Sequence, residues 1–157
     1  MIENLKHIFG NKIIDYVKNY DIDTLVAKKE ALIQMISFLK NEEKFDFLMD
    51  LFAIDYLGYP DKKFEHRYEI VYNLYSFENN KRLILKVPVT EENPSVDSIV
   101  SFYSSADWYE REAYDMYGIV FNGHPNLKRI LMYEEFQGHP LRKDYPLKKR
   151  QPRIDLK

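Results

Sequence analysis

The chain has 157 residues, 45% hydrophobic and 15% aromatic, with 13 Tyr and 10 Phe, enough for one domain that buries a core without metals or disulfides and too apolar for disorder. It has no cysteine, which excludes disulfides, thiolate nucleophiles, thiolate-held zinc and cysteine-ligated iron–sulfur clusters. The net charge of −2 is uneven: residues 128–157 hold nine Lys/Arg against four Asp/Glu, leaving 14 against 21 in residues 1–127, an acidic body with a basic, proline-bearing tail.

In chain order, residues 2–9 predict a short helix with Leu5, Ile8 and Phe9 on one side and Gly10 as its stop. Residues 12–18 and 23–27 predict strands. From Lys28 to Asn41, Leu32, Met35, Ile36 and Leu39 recur at helical spacing, an amphipathic helix. Residues 45–56 predict a strand ending in the turn Gly58-Tyr59-Pro60-Asp61. Phe64, His66, Tyr68, Ile70, Tyr72 and Leu74 alternate with Glu65, Arg67, Glu69 and Asn73, and Leu83, Leu85, Val87 and Val89 alternate with polar partners, so the two runs predict a hairpin with one apolar and one polar face. Pro88 marks its edge. Pro94-Ser95 opens a predicted helical region in which Val96, Ile99, Tyr103 and Ala106 share a face. Asp107 with Glu110 reads as a second N-terminal capping box, and Gly118 as the helix stop. Beyond Gly118 the Gly and Pro content predicts extended, irregular chain. The order of elements predicts an α+β two-layer domain over 1–118, a mixed sheet with helices on one face, and an extended C-terminal docking segment over 119–157.

No signal peptide is legible in residues 1–6, and Asp50 and Asp55 interrupt the most apolar run. The expected location is therefore cytosolic, with any membrane contact made through partners.

The chemistry-bearing residues lie near the end. Asp107, Arg111 and Asp115 stand at i, i+4 and i+8. A carboxylate cluster for metal or acid–base work is one reading. A charge-paired helix face with Arg111 between the two Asp is the other, and it is favoured because the guanidinium neutralises what a metal needs. Glu112 is left to bind a backbone group or a partner. His124 and His139 each sit in Gly-His-Pro. A metal site using both and Asp144 competes with two sharp turns whose imidazoles act as hydrogen-bonding brackets, and the wide spacing favours the turns. His66 reads as a core histidine. Arg142-Lys143, Lys148-Lys149-Arg150 and Arg153 can be read as a phosphate clamp, yet the sequence pI is about 6.1 and no nucleic-acid signature appears. No GxGxxG, P-loop or HExxH is present, and Ser104-Ser105 has no nearby His. The residues compose no self-contained active site.

Residues 110–131 read ERExxDxxGIxFxxHPxLxRIL and residues 138–146 read GHPLRKDYP. This resembles the C-subunit family of proton-translocating NADH:quinone oxidoreductase, respiratory complex I, and its relatives in membrane-bound hydrogenases. The matching signature positions include Glu110, Arg111, Glu112, Asp115, Gly118, His124, Pro125, Arg129, Gly138, Pro140, Leu141, Arg142, Lys143, Asp144 and Tyr145, which the resemblance implies for partner docking. It further implies a non-catalytic peripheral-arm subunit, on the cytoplasmic side of the inner membrane and attached only through the complex. The D and B subunits would be its chief partners, and FMN and iron–sulfur clusters would lie in partner subunits, none in this chain. The equivalent component of a ferredoxin- or F420-linked dehydrogenase or of a membrane-bound hydrogenase is the alternative.

Overall fold

A computed structural model describes residues 1–60, 66–148 and 150–151. Helix α1 (Ile2–Phe9) buries Leu5 and Phe9, and Gly10 ends it with φ 48°. Ile8 is 54% exposed: it lies off the Leu5–Phe9 line, so the predicted apolar side is narrower. Strands β1 (Ile13–Asn19) and β2 (Ile22–Ala27) form an antiparallel pair. After a single 3-10 turn, α2 (Leu32–Asn41) buries Leu32, Met35, Ile36 and Leu39, the stripe that the spacing predicts.

Strands β3 (Phe47–Asp55), β4 (Tyr68–Ser76) and β5 (Lys81–Val89) follow, β4 and β5 pairing as a hairpin. The five-stranded sheet runs β1-β2-β5-β4-β3, with β2 and β5 parallel and the other neighbours antiparallel. This is the mixed sheet of an α+β fold. Its inner face places Leu25, Leu83, Leu85, Val87, Tyr68, Ile70, Tyr72, Leu74, Leu51 and Ala53 in one cluster with α1 and α2. Each Leu, Ile or Val among them contributes about 1.5–3 kcal/mol of burial.

Three expectations fail here. The supposedly polar side of β4 is also buried, with Glu69 3%, Val71 4% and neighbouring Arg67 6% exposed. Burial is possible because the charges are paired: Lys86 Nζ lies 3.0 Å from Glu69 and Tyr56 donates to Glu69 at 2.9 Å. Asp61, Phe64 and Glu65 of the predicted turn and strand lie outside the described residues, as do Lys149 and Arg153 of the basic tail. The helix predicted from Pro94 does not form. Residues Ser95–Asp97 make strand β6, parallel to β7 (Val120–Asn122), and helix α3 (Ala106–Tyr117) begins twelve residues after Pro94. Val96 and Phe121 are buried together as cross-strand partners, so pairing with a distant strand overrides the local helical spacing. Nor does Asp107 cap α3: the N-cap is Ser105, with no side-chain cap bond. Helix α3 packs along edge strand β3, where Tyr109 donates to the Met49 carbonyl at 3.2 Å.

Candidate partner-docking site

Nearly all signature residues lie on α3 or on the chain that returns to it. An α-helix leaves its last four carbonyls without intrahelical donors, and those of α3 are all answered. Gly118 N donates to Tyr114 O at 2.8 Å and His139 Nδ1 to Asp115 O at 2.9 Å. Leu141 N donates to Met116 O at 3.1 Å, and Arg142 Nε to Tyr117 O at 2.6 Å. The Gly-His-Pro-Leu-Arg run is therefore a C-terminal cap supplied from well downstream, with the Arg142 charge at the negative end of the helix. Because Nδ1 must carry the hydrogen it donates, His139 holds one tautomer, and burial lowers its pKa. Gly118, at φ 73°, lets His139 Nε2 and Arg142 Nη2 approach to within 2.6 Å of where a Cβ would be.

Asp115 is fully buried and fastens the next loop. Its Oδ2 accepts from the amides of Ile130, Leu131 and Met132 at 3.1, 2.9 and 2.8 Å, and its Oδ1 from Arg129 Nη1 at 2.6 Å. Burial pushes the carboxyl up, but the amides and the guanidinium together outweigh it and the pKa falls. Arg129 continues to Gly138 O at 3.0 Å and stacks over Phe136, whose ring lies against Tyr145. A Cβ on Gly138 would sit 2.9 Å from the Tyr145 ring.

The spacing argument pairs Arg111 with Asp107 and Asp115. The structure does not: Asp115 takes Arg129 instead. Arg111 stacks on Trp108 at 5.2 Å and donates to the carbonyls of Lys128 and Arg129 at 3.2 and 3.3 Å. A partner 14 residues away in sequence outcompetes the helical neighbour because its approach also brings three amides to the same carboxylate.

A second clamp holds the end of the segment. Asp55 accepts from Arg67 Nε and Nη2 at 3.1 and 3.0 Å and from the amides of Leu57 and Lys143, each at 2.9 Å. Arg67 also meets Asp144 at 2.7 Å and Glu91. Burial opposes ionisation of Asp55, yet Arg67 and the two amides hold its pKa down; Arg67 holds that of Asp144 down as well. Sequence reasoning singled out Lys143 and Asp144 but missed Arg67 as their anchor. The available signal was a lone Arg at the start of a run of buried β residues, with Asp55 closing the preceding strand.

At the other end of α3, Glu110 is fully buried and its Oε1 accepts from Ile99 N at 2.7 Å. The His124 ring donates from Nε2 to Asp107 O at 3.2 Å while Nδ1 accepts from Asn126 N at 3.0 Å. The two Gly-His-Pro turns thus bracket α3 at two of its carbonyls, those of Asp107 and Asp115. Pro125 and Pro140 fix the chain just after each ring. Among the described residues no group of three His, Cys, Asp or Glu is placed to hold a metal, and no helix is long and apolar enough to cross a membrane.

The signature therefore divides. Glu110, Asp115 and the His124 ring face inward; Arg111, Arg129, Pro140, Arg142 and Tyr145 are half-buried in brackets; Glu112, Pro125, Gly138, Leu141, Lys143 and Asp144 face outward. Glu112, Leu141 and Phe52 rim a groove of about 200 Å³ between β3 and α3, floored by Ala113 and Met116. A larger depression of about 760 Å³, beside Phe47, Tyr75 and Phe77, is lined by none of the signature residues.

The family model described as respiratory-chain NADH dehydrogenase, 30 Kd subunit, matches residues 25–151. The chain is 44% identical over 146 residues to a protein of Citrifermentans bemidjiense named as the C subunit of NADH-quinone oxidoreductase, covering 93% of this chain and 88% of that one. A protein of Bdellovibrio bacteriovorus named as the C/D subunit of NADH-quinone oxidoreductase is 41% identical over 150 residues, 92% of this chain but 25% of that one. Among solved structures, a trypsin-resistant fragment (1-134) of Nqo5 superposes with TM-score 0.71 at 31% identity, covering 80% of this chain and 98% of the fragment. With the family model and these relatives in agreement, the chain belongs to the 30 Kd subunit family of respiratory-chain NADH dehydrogenase.

Proposed function

We propose that the chain is a non-catalytic peripheral-arm subunit of NADH:quinone oxidoreductase. It supports electron transfer from NADH through FMN and iron–sulfur centres to quinone, coupled to proton translocation, with those cofactors carried by partner subunits. The carrying observation is the division of the signature: most of its residues are committed to fixing α3 and residues 123–148, while Glu112 and Leu141 face outward and rim the β3–α3 groove. A surface whose backbone is already fixed loses little entropy on docking. The absence of cysteine from this chain supports cofactors lying elsewhere. The D and B subunits are the proposed partners, and the Bdellovibrio relative, whose name joins C with D in one chain, supports the first. The 119–157 segment is the proposed docking element, and attachment to the cytoplasmic side of the membrane is through the complex.

The test is co-purification of the tagged full chain from its source, with Leu141→Asp and Phe52→Asp variants at the groove rim. Both residues are more than 40% exposed, so the variants should fold with parental circular dichroism. They should lose the D and B subunits and the NADH:quinone activity of the bound fraction. Retained assembly in both variants, or capture of a hydrogenase catalytic subunit by the parent, would overturn the reading.

A further inference from the structure

The groove between β3 and α3 carries two carboxylates that the chain leaves unanswered. Asp50 of β3 and Glu112 of α3 both line it, and no lysine or arginine does. Among the described residues neither carboxylate has a hydrogen bond or an ion pair. The arginines on and around α3 are committed elsewhere. Arg111 donates to the Lys128 and Arg129 carbonyls, and Arg129 pairs with Asp115. Arg142 donates to the Tyr117 carbonyl, with its guanidinium 5.5 Å from the centre of the Tyr68 ring. Burial, then the charges of Asp55 and Glu112, push the Tyr117 hydroxyl up, so this part of the groove wall stays neutral.

The rest of the lining is apolar. Ala113 and Met116 form the floor, and Phe52 and Leu141, 42% and 49% exposed, stand at the rim. At about 200 Å³ the space is below the roughly 300 Å³ at which small-molecule sites begin, and it suits one long side chain. Among the described residues no group of three His, Cys, Asp or Glu stands here to hold a metal. A partner that covers Phe52 and Leu141 also strips water from Asp50 and Glu112. Anions desolvated without a cation oppose docking strongly, which excludes a purely apolar occupant and an acidic one still more. Lysine and arginine both pair an apolar stem with a cationic head. The two carboxylates come from different elements, and a guanidinium, with five donors in one plane, serves both where an ammonium is a single point.

We infer that the groove receives one arginine side chain of a partner subunit, its stem lying on Ala113 and Met116 and its guanidinium meeting Asp50 and Glu112. The inference rests on the reading of this groove as the docking rim, and adds to it the chemistry of the group that enters. Phe52 and Leu141 then exclude water around the ion pairs, and the charges decide which partner segment fits. An acidic groove also rejects segments that bring a carboxylate to the same place.

The experiment is the co-purification of the tagged full chain with the double variant Asp50→Asn, Glu112→Gln, which removes charge and keeps shape. Because both carboxylates are unpartnered in the chain, its circular dichroism and thermal melt should match the parent. The D and B subunits retained should nonetheless fall at least about tenfold, as when one side of an interfacial charge pair is removed. Reversal by Glu112→Lys should abolish retention, and Glu135→Gln, an exposed carboxylate outside the groove, should leave it at the parental level. Undiminished retention by the double variant, with Leu141→Asp still losing its partners, would sink the arginine and leave the docking rim standing. A lowered melt in the double variant would mean that the carboxylates serve the fold, and would equally overturn the inference. Retention by Leu141→Asp and Phe52→Asp would remove the docking rim itself, and the arginine with it.

Discussion

Replacing Gly118 by alanine would set a methyl group 2.6 Å from Arg142 Nη2 and His139 Nε2 on a backbone at φ 73°. The left-handed conformation alone costs roughly 1–2 kcal/mol for an L residue, and the clash displaces two of the donors that cap α3. We expect Gly118→Ala to lower the unfolding free energy by about 3 kcal/mol in denaturant titration; a loss below about 1 kcal/mol would mean that the cap yields without cost. Asp115→Asn is a second probe at this scale. It leaves Arg129 half-buried without its anion and weakens three amide bonds, so about 3 kcal/mol should again be lost. Arg111→Ala should differ from both. A buried Arg between two carboxylates would cost on the order of 3–5 kcal/mol, but Arg111 here stacks on an exposed Trp and donates to two carbonyls at the long end of hydrogen bonding. About 1 kcal/mol is expected. A thermal melt that places Arg111→Ala beside Asp115→Asn in severity would contradict the observed pairing.

At the scale of elements, α3 is the hub. One end is tied to the β6–β7 pair through Glu110 and His124, its side lies on β3, and its other end is capped by His139, Leu141 and Arg142. The final tie runs from Lys143 and Asp144 to Asp55 and Arg67, between β3 and β4. Asp55 and Arg67 are nearly inaccessible, so removing Arg67 strands a buried carboxylate. We expect Arg67→Ala to cost about 3–5 kcal/mol and to raise exchange of the Lys143 amide, which now donates to Asp55. Unchanged exchange at Lys143 in a folded variant would show that the C-terminal segment holds its place without this clamp.

Across the whole molecule, buried ionisable groups act in opposite senses with pH. Asp55, Glu69 and Asp115 have lowered pKa values. Their stabilisation is present above the ordinary carboxylate range near pH 4 and is lost as pH falls through the lowered values. His139, lowered from 6.5, likewise contributes above that pH and opposes folding below it. Glu110, raised from 4.5 to about 7, runs the other way: its contribution is present below pH 4.5 and is lost as pH rises through 7. Comparing the parent with Glu110→Gln isolates that last effect. The variant should gain on the parent between about pH 5 and pH 8, by on the order of 3 kcal/mol. A stability difference that stays constant over this range in paired denaturant titrations would show that Glu110 titrates normally.

Much was readable from the sequence. Helical spacing located α1 and α2, alternation located β4 and β5, and the pattern of Glu, Asp, Gly, His and Pro after residue 107 was sufficient for the family. These are local or collinear properties: side-chain spacing along one element, and residue identities at fixed offsets. The tertiary structure decided the rest. Residues Ser95–Asp97 became a strand because Val120–Asn122 lies beside them, which no window around Pro94 contains. Asp115 chose Arg129 over Arg111 because three amides arrive with it, and Arg67 became an anchor because Asp55 and Asp144 meet at it from positions 12 and 77 residues away. Partner choice among charges depends on desolvation and on what else the same approach satisfies, and both are set only when distant segments are brought together.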